Sequence, residues 1–180
     1  MCSIRLFWKV YHIMSSINKK KIRYITSAGV MAAVYVTLTG ISALFGMSSG
    51  TVQLRLSEAM CVLPLFTSAA VPGVTIGCFI SNLLFGGTVW DVIFGTLATL
   101  IGLLAVRLFK KTPYLAFIPS VVSNALIIPA VLIISAVGEW KSFWLFSATV
   151  AAGELLACGL LGGVLIYILN KHKETLFPKE

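Results

Sequence analysis

The sequence has 180 residues, of which 58% are hydrophobic and 11% charged, and its mean hydropathy is +0.98. Soluble domains carry about 25% charged residues, so this composition excludes a soluble fold and predicts an all-α polytopic membrane protein. The formal net charge is +8, but the basic residues lie at the chain ends and in one short loop, which argues against a nucleic-acid partner.

Residues 1–24 are predicted to form a basic cytoplasmic N-terminal segment. They have a basic flank but no short apolar region followed by a small-residue cleavage site, so they do not resemble a secretory signal. Met14 is a candidate for the true start, because the stretch from Met14 to Arg23 is already an ordinary basic lead-in. Recovery of peptides from residues 2–13 by N-terminal sequencing would exclude that start.

A membrane-spanning helix needs about 20 mainly apolar residues. By this measure the chain contains six apolar runs, at residues 25–45, 57–70, 74–85, 90–109, 114–137 and 143–170. The second and third runs are short, and only a predicted break at Val71, Pro72 and Gly73 separates them. Short, interrupted hydrophobic segments are tolerated where their backbone is covered by protein or lines a cavity, so this region indicates a binding site.

Three basic clusters set the predicted orientation, because Lys and Arg accumulate in cytoplasmic loops. The clusters are Lys19, Lys20, Lys21 and Arg23; Arg107, Lys110 and Lys111; and Lys171 and Lys173. Six crossings place all three in the cytoplasm, whereas five would put the tail outside. We therefore expect a single six-helix transmembrane domain at 25–170, a cytoplasmic tail at 171–180, and both termini in the cytoplasm. The loops at 46–56, 86–89 and 138–142 then lie on the outer face.

A few charged residues lie in or beside the apolar runs, namely Arg55, Glu58, Asp91 and Glu154. A charge at the bilayer centre costs roughly 2.5–3.5 kcal/mol on insertion scales, so each needs an explanation. Glu58 has two structural explanations: it lies in the first turn of a helix that Ser57 could cap, and it could pair with Arg55. These explanations are weighed equally with a ligand-binding role. Asp91 has the spacing of a capping box with Thr88.

Glu154 lacks such explanations, because small and apolar residues flank it. A functional role is favoured over a protonated side chain that is hydrogen-bonded to a neighbouring helix. Asn82 and Asn124 are neutral, and hydrogen bonding between helices explains them about as well as ligand contact does. In the predicted orientation, Arg55, Glu58, Asn82 and Asp91 lie toward the outer face and Asn124 and Glu154 lie deeper, which predicts a cup that opens outward.

Catalytic and metal-binding chemistry has little support in the sequence. His12 and His172 lie outside the apolar runs, and Cys61, Cys78 and Cys158 within them have no paired or metal-type spacing. Without an intramembrane histidine or a nucleophile–base pair, an enzyme is disfavoured, and no metal or cofactor is predicted. The sequence also lacks the phosphate-binding loop with which a chain could hydrolyse ATP itself.

Small residues occur at four-residue spacing in the first run, in two registers. Ala28 is spaced with Ala32, and Gly29 with Ala33. Such faces let helices approach closely. On spacing alone, packing within the chain is favoured over docking to another protein.

Polar, Gly and Pro positions between Gln53 and Thr99 form a characteristic series. The segments are QLRLSEA at 53–59, LPL at 63–65, PGVTIGC at 72–78, NL at 82–83 and WDVIFGTLAT at 90–99. Two more are AAVYVTLT at 32–39 and the pair Gly153-Glu154. Together they resemble the queuosine-precursor transporter (QueT) family, and the likeness covers most of the chain from about Ile25 onward.

The resemblance implies a substrate-binding (S) component of an energy-coupling factor (ECF) transporter, a six-helix bundle with an outward-facing site partly closed by the loop after the first helix. The implied partners are a transmembrane coupling subunit and two ATPase subunits. The likeness also raises the docking interpretation of Ala28, Gly29, Ala32 and Ala33 without choosing a register. The implied substrate is a queuosine precursor, 7-aminomethyl-7-deazaguanine or a close relative.

The implied substrate suits the polar residues. Its guanine-like edge offers adjacent N–H donors to a carboxylate, and its aminomethyl group is a cation that fits a second acid. Glu154 or Glu58 is expected to take the guanine edge, and another acid the ammonium. The full predicted site is Gln53, Arg55, Glu58, Asn82, Asp91, Asn124 and Glu154. The alternatives are an S component for another vitamin-like molecule, a small standalone membrane transporter, and a structural subunit without a ligand.

Overall fold

The computed structural model describes residues 2–47, 54–86, 88–135 and 139–172, with side chains from Asn18 onward. Within those ranges the chain is helical and contains no strand, which confirms the predicted all-α class. The main helices are α1 (Cys2–Leu44), a 3-10 helix (Leu56–Leu65), α2 (Ala70–Phe85), α3 (Thr96–Val106), α4 (Ile118–Ile134), α5 (Phe143–Glu154) and α6 (Gly162–Lys171). Two π-helical segments complete them: Asp91–Gly95 leads into α3, and Leu155–Leu161 joins α5 to α6.

In the part of the chain that the structure describes, four helical stretches are long and apolar enough to cross a membrane: Asn18–Leu44, Asp91–Phe109, Pro113–Ile134 and Trp140–Lys171. They correspond to the first, fourth, fifth and sixth predicted runs, and the chain is therefore a multi-pass membrane protein. Large apolar side chains such as Leu83 and Leu108 are exposed on its surface, at 62% and 82%. The other two runs form helices of 10 and 16 residues, which are shorter than the roughly 20 residues that a spanning helix needs. The count of six crossings stays a prediction.

The break between the second and third runs lies earlier than predicted. The 3-10 helix ends at Leu65, and α2 begins at Ala70 and continues through Val71, Pro72 and Gly73. Pro72 lies in the first turn of α2, where a backbone N–H has no partner within the helix, so the proline does not interrupt it. The predicted break at 71–73 is wrong for this reason.

The 3-10 helix is buried inside the bundle. Its side chains from Met60 to Leu63 are at most 7% exposed. They pack in one core with residues of the surrounding helices, including Tyr35 of α1, Val74 of α2, Leu103 of α3 and Ile166 of α6. Irregular backbone at membrane depth is tolerated where protein covers it. The short second run is thus an interior element, as the sequence suggested for this region.

Helices α1 and α2 pack through small residues. A Cβ atom added to Gly73 would lie 2.6 Å from the carbonyl oxygen of Ala28, and one added to Gly77 would lie 3.0 Å from that of Ala32. Gly29 has no atom within 4 Å of such a position, and Ala33 is exposed. The Ala28 and Ala32 register is therefore used for packing within the chain, while the Gly29 and Ala33 register faces outward.

Candidate functional site

Arg55, Asn82 and Asp91 form a hydrogen-bonded group that we call the Arg55 cluster. Arg55 Nη1 donates to Asn82 Oδ1 at 2.6 Å, and Asn82 Nδ2 donates to the backbone oxygen of Asp91 at 3.1 Å. The guanidinium also interacts electrostatically with the carboxylates of Glu58 and Asp91. The cluster connects the start of the 3-10 helix, the end of α2 and the π-helical turn before α3.

Asp91 also begins its helix in the manner that the sequence predicted. Its backbone N–H donates to Thr88 Oγ1 at 3.3 Å, and the Thr88 hydroxyl donates to Asp91 Oδ2 at 3.4 Å. The predicted contact between Thr88 and Asp91 is confirmed, and it gives the acid a structural role. Gly95 gives the neighbouring amide its space, because a Cβ atom there would lie 3.0 Å from Asn82 Nδ2.

Tyr35, Glu58 and Cys61 form a second group, the Glu58 cluster. The Tyr35 hydroxyl donates to Glu58 Oε1, and Cys61 Sγ donates to Glu58 Oε2 at 3.0 Å. Glu58 is 3% exposed. The predicted cap is wrong: Ser57 is buried and its hydroxyl accepts from Thr39 Oγ1 at 2.8 Å, while Arg55 is the residue that precedes the helix. Donors within the chain thus occupy both oxygens of the Glu58 carboxylate.

Asn124 and Glu154 form a pair between α4 and α5. Asn124 Nδ2 donates to Glu154 Oε1 at 2.9 Å. Glu154 Oε2 is buried and has no hydrogen-bond partner among the described residues. The pair belongs to the same region as the other groups, because Glu154 interacts electrostatically with Glu58 and Arg55. The carboxylate is thus bonded to a neighbouring helix through one oxygen only.

The structure brings together most of the residues that the sequence singled out. Arg55 contacts Asn82, which contacts Asp91, and the Asn124–Glu154 pair lies within electrostatic range of Arg55. Gln53 lies outside the described residues. Sequence reasoning missed Tyr35, Cys61 and Gly95. For Tyr35 a signal exists, because a phenol hydroxyl inside a spanning helix needs a hydrogen-bond partner.

The cysteines pack as small buried side chains. Cys61, Cys78 and Cys158 are free and buried, and Cys78 Sγ lies 3.3 Å from Thr99 Oγ1. In the part of the chain that the structure describes, no three His, Cys, Asp or Glu side chains are grouped so that they could hold a metal ion.

Comparison with known proteins places this arrangement in a family. Residues 25–171 match the family described as QueT transporter. The chain belongs to the QueT transporter family. It is also similar to the queuosine precursor transporter QueT of Lactococcus lactis subsp. cremoris (strain MG1363), with 41% identity over 96 residues.

That alignment covers 52% of this chain and 56% of the Lactococcus protein, so the match spans about half the length of the curated relative. No solved structure matches the chain. Family membership confirms the resemblance that the sequence motifs predicted. The family and the curated relative of this QueT family member are both named as transporters.

Proposed function

We propose that the chain is the substrate-capturing subunit of an ATP-driven ECF importer for a queuosine precursor, 7-aminomethyl-7-deazaguanine or a close relative. The observation that carries the proposal is the group of buried and half-buried charged and amide side chains inside an otherwise apolar bundle. Three acids, one guanidinium and two amides come from five helical elements of a QueT family member. A membrane protein retains such residues chiefly where they line a substrate pathway or site.

The ligand chemistry fits this set of groups. The guanine-like edge of a deazapurine presents two adjacent N–H donors, and the aminomethyl group adds a cation. Carboxylates accept both kinds of donor in charge-assisted hydrogen bonds, which are about twice as strong as neutral ones. Asn82, Asn124 and Gln53 are proposed to reach the remaining polar atoms. A purely apolar vitamin would leave Glu154 Oε2 without a partner.

The proposed arrangement in the cell membrane has six crossings, with 1–24 and 171–180 as cytoplasmic segments on either side of a domain at 25–170. The positive-inside rule supports it, since all three basic clusters then lie on one side. The Arg55 cluster lies at the end of the bundle opposite to the basic clusters. At this end α1 and α2 finish and the π-helical segment before α3 begins. The site would therefore open to the outside.

The proposed partners are a transmembrane coupling subunit and two ATPase subunits, because the chain has no phosphate-binding loop of its own. Of the two small-residue registers, Gly29 and Ala33 are the proposed docking positions. Gly29 has open space around it and Ala33 is exposed, so these small residues would let a partner helix approach the outer face of α1 closely. Ala28 and Ala32 would contribute indirectly, by holding α2 in place.

Ligand binding tests the proposed function. At a concentration of about 100 times its dissociation constant, 7-aminomethyl-7-deazaguanine should stabilise the purified chain by roughly 2.7 kcal/mol. The measurement is a thermal shift in detergent, repeated with thiamine, riboflavin and biotin as competitors. A shift with one of these vitamins alone would favour an S component for a vitamin. The absence of a shift with any of them would favour a subunit without a ligand.

Neighbouring alanines test the docking register. Ala33→Leu should leave the melting temperature of the isolated chain unchanged but reduce its co-purification with co-expressed coupling and ATPase subunits, because the added volume on an exposed face would keep a partner helix from approaching closely. Ala32→Leu is the matched control and should lower the melting temperature itself, since Ala32 is packed against Gly77. Undiminished assembly of Ala33→Leu would contradict the proposed docking face.

A further inference from the structure

The two glutamates of the site, Glu58 buried and Glu154 half-buried, differ in how many hydrogen bonds they already make. Glu58 accepts from Tyr35 through one oxygen and from Cys61 through the other. Among the described residues, Glu154 accepts only from Asn124, through Oε1. Because a ligand needs a free acceptor, Glu154 is better suited than Glu58 to receive a donor from outside the chain.

The unpartnered oxygen of Glu154 is unusual within the described part of the chain. The buried side-chain oxygens without a partner there are the hydroxyls of Ser81, Thr96 and Ser120, and Glu154 Oε2. A buried neutral hydroxyl without a partner costs a few kcal/mol, whereas a carboxylate without one costs far more. Of these four atoms, Glu154 Oε2 is therefore the one most in need of a hydrogen-bond donor from outside the described chain.

The charges around Glu154 indicate what that partner is. Glu154 lies within electrostatic range of one acid, Glu58, and of one cation, Arg55. The same Arg55 guanidinium also lies within electrostatic range of Glu58 and Asp91, and its Nη1 donates to Asn82 Oδ1. A neutral guanine edge would satisfy Oε2 with an ordinary donor. A cation would satisfy the same oxygen with a charge-assisted hydrogen bond, which is the stronger kind.

Helix geometry singles out the same position. The α-helical turns of α5 end at Glu154, and the π-helical segment Leu155–Leu161 follows directly. π-Helical turns are rare and occur frequently at functional sites. This observation is independent of the hydrogen bonding. It places a change in helix winding immediately after the acid, halfway along the stretch Trp140–Lys171.

We propose that Glu154, held in place by Asn124, binds the cationic amino group of the ligand and selects it against neutral analogues of the same shape. The inference rests on the proposed function and deepens it. It names Glu154 as the acid that binds the ammonium group, a choice that the sequence left open. Glu58 then acts chiefly as a structural acid. Asn124 is a positioning residue, because its Nδ2 donates to Glu154 Oε1 and leaves Oε2 for the ligand.

A pair of ligands that differ only in charge tests the proposal. They are 7-aminomethyl-7-deazaguanine and its neutral isostere 7-hydroxymethyl-7-deazaguanine, and the affinity of each is measured by calorimetry on the purified full chain. The wild-type chain should bind the amine about 10- to 100-fold more tightly, the range expected for hydrogen bonds to a charged group. Glu154→Gln should reduce this preference to less than about threefold. Glu139→Gln is the matched control, because Glu139 pairs with Lys141 on the surface, and should keep the full preference.

Several outcomes would overturn the proposal. If Glu154→Gln weakened both ligands equally, Glu154 would contact their shared guanine edge instead. If the wild-type chain did not prefer the amine, the assignment would fail without any variant, so the test does not depend on the folding of Glu154→Gln. If the wild-type chain bound neither deazapurine, the proposed function itself would fail.

Discussion

Replacing Arg55 by methionine is expected to lower the free energy of unfolding by about 3 kcal/mol, because it removes the cation of a largely buried charged group. Arg55 donates to Asn82 at 2.6 Å and offsets the charges of Glu58 and Asp91. Methionine fills a similar volume, so the loss reports the charge and the hydrogen bonds rather than a cavity. The measurement is an SDS titration of the purified chain in mixed micelles.

Two further variants show whether that loss is specific. Arg107→Met removes an exposed guanidinium from the other end of the bundle and should change stability by less than about 0.5 kcal/mol. Arg55→Lys keeps the charge but not the planar fork, so its effect should lie between the two. Equal losses for Arg55→Met and Arg107→Met would mean that the Arg55 cluster contributes nothing particular to stability.

Tyr35→Phe is expected to cost about 1–3 kcal/mol, because it leaves Glu58 Oε1 buried without its donor. The hydroxyl is the only group removed, and Tyr35 is fully buried. Tyr167→Phe removes the same hydroxyl from an exposed position on α6 and should be nearly neutral. The melting temperatures of both variants are compared in the absence of ligand.

A double-mutant cycle identifies the acceptor of that bond. In a Glu58→Gln background the further change Tyr35→Phe should cost less than it does alone, because the charge-assisted bond is already gone. Fully additive effects of the two changes would show that the hydroxyl of Tyr35 stabilises the fold through another partner.

Much of the helical framework was predictable from the sequence, since each predicted apolar run contains a helix. The length of an apolar run did not determine the length of its helix. The second run includes Pro64 and forms a 3-10 helix that ends one residue after this proline. Its position inside the bundle follows from contacts with α1, α3 and α6, which no local pattern reveals. The register of the small residues in α1 also depended on α2, through Gly73 and Gly77.

The candidate site was predictable as a set of polar residues but not as a set of pairs. Asp91 was the exception, because its partner Thr88 lies three residues away. The partners of Glu58 and Glu154 include residues 23 and 30 positions away in sequence, on other helices. The question of which acid is already satisfied was therefore open in the sequence. The fold answers it by bringing a tyrosine to one acid and an asparagine to the other.

The short 3-10 helix has a consequence for how the protein is made. With 10 residues it is too short to be inserted as an independent membrane segment during synthesis. Its acid and its irregular backbone would be unprotected in lipid until neighbouring helices surround them. We therefore expect this element to take its place late in biogenesis, after α1 and the long C-terminal helices have been integrated. Truncated chains that end before α6 should then remain sensitive to proteolysis near residue 60.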